Sequence, residues 1–273
     1  MSGKDRGTGK GRDRQFDPPA GEGYPGVDGH AETWQDTPLN RLAAAARRIG
    51  AVAVGQPLDD DEVTRAADEL GVLADRLEAA AQVDRRTRNQ PSANGHPQDA
   101  FSTSPVIGFA NPVAPPVEVW AVDGHEGWRE VRGRVTYDYQ YEGPPTCVHG
   151  GVIAELFDEL LGMSNILVGE GAMTGTLTIR YRRPTPLLAP LDLVARHTGK
   201  EGRKVYAWGG IYSQGELTAE AEGVFIEVPP GRMLDIVSGN AHSTEAPLVV
   251  DPDWRKMMAR AAAADAGKGE QPA

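Results

Sequence analysis

Apolar and polar residues alternate with the period of a β-strand in two central stretches, VEVWAVD (117–123) and WREVRGRVTYDYQYEG (128–143). After a Gly-Pro-Pro break, the spacing becomes that of an amphipathic helix in CVHGGVIAELFDELLG (147–162). Strand-like patterns return from 173 to 228, where GKEGRK and SQGE are typical hairpin turns. Because hairpins join antiparallel strands, we predict an α+β fold, an antiparallel sheet of about six strands wrapped around a central helix.

Two helices are predicted upstream, within 37–84. The first begins with a threonine cap and a proline at its first position. The second carries an apolar stripe and has three aspartates at its positive end. The two helices could form a hairpin, and their stripe could cover the outer face of the sheet or pair with another subunit. The stripe of the second helix consists of Val63, Ala66, Leu70, Leu73, Leu77 and Ala80.

The remaining segments have no periodic pattern. Residues 1–36 are rich in Gly, Asp, Arg and Pro, which predicts a disordered N-terminus. Residues 85–114 have the composition of a linker, and 231–273 are predicted to be a polar tail with a short helix. We therefore expect the α+β domain to span 115–230.

Composition limits the possible partners and compartment. The formal net charge of -11 argues against general nucleic-acid binding, so an anionic ligand would need a local basic cluster. The single cysteine cannot form an internal disulfide, which favours the reducing cytoplasm. No apolar run of about 18 residues is present, so we expect no membrane span, and the basic N-terminus does not resemble a secretory signal.

The predicted central helix begins at two glycines, Gly150 and Gly151. The first backbone N–H groups of a helix have no intrahelical partner, and glycine lets a ligand approach them closely. Together with the helix dipole they could bind a negative oxygen, including the oxyanion of an attacked carbonyl. Alternatively, the glycines only form a tight loop after Pro145.

Asp158 is the candidate base or nucleophile of this helix. It lies eight residues after Gly150, which corresponds to about 12 Å along the helix axis. One carbonyl carbon cannot lie within about 3 Å of both groups of a single chain. The two residues can cooperate only if Asp158 meets Gly150 of an antiparallel second copy, as a two-fold dimer allows. If these residues are catalytic, the monomer should be inactive.

His149 and Cys147 are less informative by themselves. His149 could be a base, a ligand or an orienting group, and a histidine at a helix start is often structural. The six histidines form no zinc pattern, so we predict no metal and no cofactor. Residues two apart at a helix entry point in different directions, so we do not predict a Cys-His nucleophile.

The stretch HGGVIAELFDELLG resembles the signature of hotdog-fold acyl-CoA thioesterases of the PaaI-like branch, in which an aspartate follows the histidine of His-Gly-Gly by nine positions. His149 and Asp158 have this spacing. The flanking segments YEGPPTCVHGG, MTGTLTIRYRRPTPL and EGRKVY are also similar to the family. The resemblance covers roughly 115–230 and implies a hotdog fold, acyl-CoA as substrate and a homo-oligomer with the active site at the dimer interface.

The resemblance also implies a role for each matching residue. Gly150 corresponds to the backbone oxyanion donor, and His149 to the histidine that holds the thioester or orients the loop. Asp158 corresponds to the carboxylate that activates water or attacks directly, and Thr174 to a hydroxyl residue that positions either one. Some relatives carry an asparagine six residues before the histidine, where this chain has Gly143.

With acyl-CoA as the implied substrate, the basic RYRRP stretch becomes a candidate phosphate site. Arg180, Arg182 and Arg183 form the densest basic cluster of the predicted domain, and arginine suits phosphate well. The alternative is that these are edge-strand charges that deter aggregation.

Two other functions come into question, and the first of them, a hydratase, is not predicted. A hotdog hydratase usually has a histidine about five residues after the aspartate, and no histidine follows Asp158 before His197. A non-catalytic acyl-CoA-binding or interaction protein is the alternative to a thioesterase. The sequence does not indicate which acyl group is bound, or whether the oligomer is a dimer, a tetramer or a hexamer.

Overall fold

The computed structural model describes residues 37–81, 101–123 and 129–228. The predicted disordered N-terminus (1–36) and C-terminal tail (231–273) lie outside these residues. The helices are α1 (Pro38–Gly55), α2 (Asp60–Ala80) and α3 (Gly150–Leu167). The strands are β1 (Glu118–Asp123), β2 (Arg129–Thr136), β3 (Ala172–Tyr181), β4 (Pro190–Glu201), β5 (Lys204–Ser213) and β6 (Glu216–Glu227).

The six strands form one antiparallel sheet in the order β1-β2-β4-β5-β6-β3. Helix α3 packs on this sheet and buries one side, because its apolar residues recur three and four positions apart. Strand β3 lies at an edge and pairs only with β6 among the described strands. The α+β prediction, with a sheet wrapped around a central helix, is confirmed. The side chains that α3 buries most deeply are Leu156, Phe157, Leu160 and Leu161.

The second predicted strand ends earlier than its alternating pattern suggested. The chain leaves β2 at Thr136 and forms a 3₁₀ turn, Tyr139–Tyr141. The side chain of Asp138 accepts a hydrogen bond from the Tyr139 N–H at 2.8 Å and so caps this turn. As a result Tyr137 and Tyr141, four positions apart, are both buried in edge-to-face contact, with ring centroids 5.3 Å apart.

Part of the predicted linker, 85–114, contributes to the core. Only 101–114 of it is described, and there Val106, Ile107, Ala110 and Ala114 are buried. Ser104 shapes this irregular segment, because its hydroxyl accepts hydrogen bonds from the N–H groups of two residues that follow it, at 3.1 and 3.3 Å. A spacer would remain solvated, so 101–114 belongs with the domain that it leads into.

Helix α1 begins as predicted. Thr37 is the N-cap, and its side chain accepts a hydrogen bond from the Asn40 N–H at 3.1 Å, with Pro38 at the first helical position. Helix α1 is attached to the domain by Arg47, whose guanidinium donates to the Asn111 carbonyl at 2.8 Å.

Helix α2 has no buried residue at all. Its apolar stripe therefore neither covers the outer face of the sheet nor packs into a hairpin with α1, so both of these expectations are wrong. None of the helices in the described ranges is both long enough and apolar enough to traverse a lipid bilayer.

Candidate active site

The start of α3 is held by backbone hydrogen bonds to the preceding turn and to the segment after β3. His149 donates its N–H to the Tyr141 carbonyl at 2.9 Å, and Val148 donates to the Thr185 carbonyl at 2.9 Å. These contacts fix His149 in an extended conformation, φ -60° and ψ 134°, which is typical of an N-cap residue.

His149 caps α3 with its own ring. The Nδ1 atom accepts a hydrogen bond from the Gly151 N–H at 2.9 Å. A neutral imidazole that accepts at Nδ1 carries its proton on Nε2, so the other ring nitrogen is a donor. The exposed ring thus presents an N–H group to solvent beside the helix terminus.

The Gly150 N–H is available for a ligand. Within the described residues no hydrogen bond is made by this amide, whereas its neighbours Gly151 and Ile153 donate to His149. The amide also lies at the positive end of the helix dipole. The predicted oxyanion donor is therefore a free N–H group at a half-buried position.

Tyr181, at the end of β3, is a residue that sequence reasoning missed. Its hydroxyl donates to the Gly150 carbonyl at 2.9 Å, and its side chain is 54% exposed. A Cβ at Gly150 would lie 3.5 Å from this hydroxyl, which is ordinary contact. The flanking segment MTGTLTIRYRRPTPL pointed to this strand, but nothing in its pattern showed that the tyrosine reaches back to the helix.

Asp158 and Thr174 form the second half of the predicted site. The Thr174 hydroxyl donates to Asp158 Oδ1 at 2.7 Å, and both side chains are exposed. This bond fixes one carboxylate oxygen and leaves Oδ2 for a water molecule or a substrate. The structure thus brings together two residues that are 16 positions apart in the sequence.

The two halves are not brought together within one chain. Gly150 and Asp158 lie on the same continuous helix, so their separation along its axis is about 12 Å. The contacts on β3 repeat this division, because Thr174 meets the Asp158 end and Tyr181 meets the Gly150 end.

Glu159, next to Asp158, is the second residue that sequence reasoning missed. It is half-buried and hydrogen bonded to the Ser104 hydroxyl of the 101–114 segment. Burial raises the pKa of the Glu159 carboxyl above its ordinary value, the Ser104 hydrogen bond opposes this shift, and the negative charge of Asp158 adds to it. Helical spacing alone does not reveal this contact, because nothing in the sequence shows that 101–114 covers this side of α3.

We expect Glu159→Gln to stabilise the protein at about pH 8 and to lose this advantage towards about pH 4.5. A raised pKa means that the folded state binds the proton more tightly, so stability falls as pH rises from the ordinary value of 4.5 through the folded pKa. Glutamine carries no charge to desolvate and removes that loss. Melting temperatures across this range test the prediction, with the exposed Glu155→Gln as control. An equal destabilisation at every pH would contradict it.

Solved structures identify the family. The crystal structure of a thioesterase superfamily protein aligns with 70% of this chain and 92% of its own, at 34% sequence identity and a TM-score of 0.62. The chain belongs to the thioesterase superfamily. The predicted resemblance to hotdog-fold thioesterases is confirmed. The matched share also exceeds the two fifths of the chain between β1 and β6, so the likeness extends beyond the sheet and α3.

Curated relatives match a shorter part of the chain. Acyl-coenzyme A thioesterase THEM4 of Xenopus laevis is 36% identical over 91 residues, 33% of this chain and 41% of the relative. THEM4 of Mus musculus is 38% identical over 95 residues, 34% of this chain and 41% of the relative. The match therefore spans about two fifths of the length of these relatives. No protein-family model matches the chain.

In this thioesterase superfamily member, Gly143 stands at the position where the resemblance implied an asparagine in some relatives, and the loop around it is crowded. The backbone of Gly143 lies against His149 at the start of α3, so that a Cβ on residue 143 would be 2.7 Å from His149 Cα. The loop bends further at Thr146, whose φ is 64°. The Thr146 N–H donates a hydrogen bond to the Glu142 carboxylate at 2.7 Å. An asparagine side chain does not fit this loop. Cys147, half-buried in the same loop, forms no disulfide.

The three arginines that were predicted to bind phosphate each form an ion pair with a glutamate of β6. Arg180 pairs with Glu222 at 3.0 Å, and Arg183 pairs with Glu216 at 2.7 Å. Arg182 pairs with Glu220, whose side chain is largely buried. Neighbouring carboxylates thus balance the charge of this cluster. Such charged side chains at a sheet edge also fit the alternative interpretation, that they deter aggregation.

Proposed function

We propose that this protein hydrolyses acyl-CoA thioesters to a free acid and CoA, in a site shared between two chains. The observation that carries the proposal is the division of the site: a free Gly150 N–H at the start of α3, and a hydroxyl-bonded Asp158 about 12 Å along the same helix. The curated relatives named acyl-coenzyme A thioesterase support the substrate class.

The edge strand β3 supports a two-fold arrangement. An edge strand presents unpaired backbone groups on one side, and β3 also exposes Met173 at one end and Tyr181 at the other. If two copies of β3 pair in antiparallel fashion, the Tyr181 end of one chain lies beside the Thr174 end of the other. That pairing brings Gly150 of one protomer towards Asp158 of its partner and creates two equivalent sites.

The chemistry follows from the donors in each half. The thioester carbonyl oxygen accepts the Gly150 N–H, which stabilises the negative charge that develops on this oxygen. Asp158 of the partner protomer takes a proton from water through Oδ2, while Thr174 holds Oδ1 in place. The water oxygen bonds to the carbonyl carbon as the C=O π electrons move to the oxygen. The carbonyl then re-forms, the C–S bond breaks, and the CoA thiolate takes up the proton that Asp158 had received. The exposed His149 Nε2–H lies beside the helix start and assists in binding the thioester.

The three arginines differ in how readily a CoA phosphate can displace the glutamate that each one pairs with. Arg180 and Arg183 each pair most closely with an exposed glutamate, and exposed ion pairs are weak, so a phosphate can replace that carboxylate. Arg180 also lies 3.7 Å from Glu220, but Glu220 keeps its closer partner Arg182 if Arg180 turns to a phosphate. Arg182 fits less well, because displacing Glu220 would leave a largely buried carboxylate without its partner. We therefore assign the CoA phosphates to Arg180 and Arg183 in preference to Arg182.

The test is a panel of acyl-CoAs of increasing chain length, with a thiol reagent that reports free CoA. We expect turnover of at least one acyl-CoA and none of the corresponding oxygen ester, since an alkoxide leaves less readily than a thiolate. Binding of CoA without turnover on any chain length would instead support a non-catalytic acyl-CoA-binding protein.

A further inference from the structure

Helix α2 has the residue spacing of a coiled coil, although it contacts nothing that buries it. Its stripe recurs at alternating intervals of three and four residues through 21 helical residues, and this average of 3.5 is the coiled-coil repeat. Val63, Leu70 and Leu77 are 45%, 40% and 43% exposed. A stripe of this regularity requires a partner helix, and none of the described residues of the chain supplies one.

We propose that α2 pairs with α2 of a second copy of this chain, in antiparallel orientation. The packing of the stripe supports this orientation. In this orientation Leu70 faces Leu73 of the second copy at the centre of the pair. All the remaining layers place a large residue against a small one, because Val63 faces Ala80 and Leu77 faces Ala66. A parallel pair would instead put alanine against alanine in two layers and leave gaps there.

The charges beside the stripe support the same orientation independently. Glu69 and Arg76 directly precede Leu70 and Leu77 on one flank of the stripe, while the other flank carries Ala67 and Ala74. In an antiparallel pair, the same flank of each helix faces that of the other. Glu69 of each copy therefore lies beside Arg76 of the other copy, which gives two equivalent ion pairs. In a parallel pair each charged flank faces the alanine flank, and no such ion pair forms.

Antiparallel pairing can be tested by cross-linking full-length chains in a Cys147→Ser background. Chains carrying Glu69→Cys are mixed with chains carrying Arg76→Cys, and a short bis-maleimide, which reacts with one thiol at each end, is added. We expect a covalent dimer that joins position 69 to position 76. Asp68→Cys mixed with Asp75→Cys is the matched control, since both aspartates lie on the side of α2 opposite the stripe. A cross-link no stronger than in this control would overturn the proposal.

Charge reversal gives a second measurement, by sedimentation over a range of concentrations. We expect Glu69→Arg and Arg76→Glu each to weaken self-association on the order of tenfold, and the double variant to restore it. Leu70→Glu should weaken it further, whereas Val72→Glu should not, although Val72 is the more exposed at 69%. Equal effects of Leu70→Glu and Val72→Glu, or no repair in the double variant, would contradict antiparallel pairing. Because no variant touches α3 or β3, turnover per site should stay unchanged.

Discussion

Replacing Asp158 with asparagine is expected to lower kcat for acyl-CoA hydrolysis by about 10²–10⁴-fold, the usual contribution of a positioned general base. Asparagine has nearly the same shape and can still accept the Thr174 hydroxyl hydrogen bond. It cannot take a proton from water. Because Asp158 is exposed on a well-packed helix, the melting temperature should hardly change, and steady-state kinetics then report on chemistry rather than on folding.

Two further variants make this result specific. Glu155→Gln removes an exposed carboxylate from the same helix and should leave kcat unchanged. Thr174→Val removes the hydroxyl that fixes Asp158 Oδ1 and should cost less than Asp158→Asn, while Thr174→Ser retains the hydrogen bond and most of the activity. Full turnover by Asp158→Asn would rule out Asp158 as the base or the nucleophile.

Mixing two inactive variants is expected to restore about a quarter of the activity of the native protein. Gly150→Pro removes the proposed oxyanion donor, since proline has no N–H, and proline is favoured at the first position of a helix. His149 already has the extended conformation that a residue before proline requires. In a mixed dimer with Asp158→Asn, one site contains both mutations and the other contains neither. Random exchange makes half of the dimers mixed, so about one site in four is intact.

The control for steric effects is Gly150→Ala. Alanine keeps the N–H, and its Cβ lies in ordinary contact with Tyr181, so this variant should remain far more active than Gly150→Pro. Loss of the oxyanion donor alone is expected to cost about 10²–10³-fold in kcat. If the mixture stays inactive after exchange of subunits has been verified, the site lies within one chain and the shared-site proposal is wrong.

Local patterns in the sequence were sufficient for the order of elements and for much of the candidate site. Period-two alternation and hairpin turns depend on neighbouring residues, so the strands and their antiparallel pairing could be predicted. The start of α3 at Gly150, the N-cap at His149 and the distance to Asp158 are equally local, since the helix fixes its own geometry.

Long-range contacts changed several interpretations. Arg180 and Arg183 were predicted to bind phosphate before the sheet showed glutamates of β6 beside them. The sequence also did not show that the loop places His149 against Gly143. The stripe of α2 predicted a buried face, but the described part of the chain does not cover it. In each case the deciding partner is remote in the sequence.

The sequence by itself determined the elements, the free N–H at the start of α3 and the spacing that separates it from Asp158, because all of these follow from backbone hydrogen bonds between residues a few positions apart. Only the tertiary structure showed that Tyr181 bonds the Gly150 carbonyl and that Ser104 reaches Glu159. These contacts depend on how β3 and the 101–114 segment fold back onto α3, and such packing leaves no periodic trace in the residues that make it.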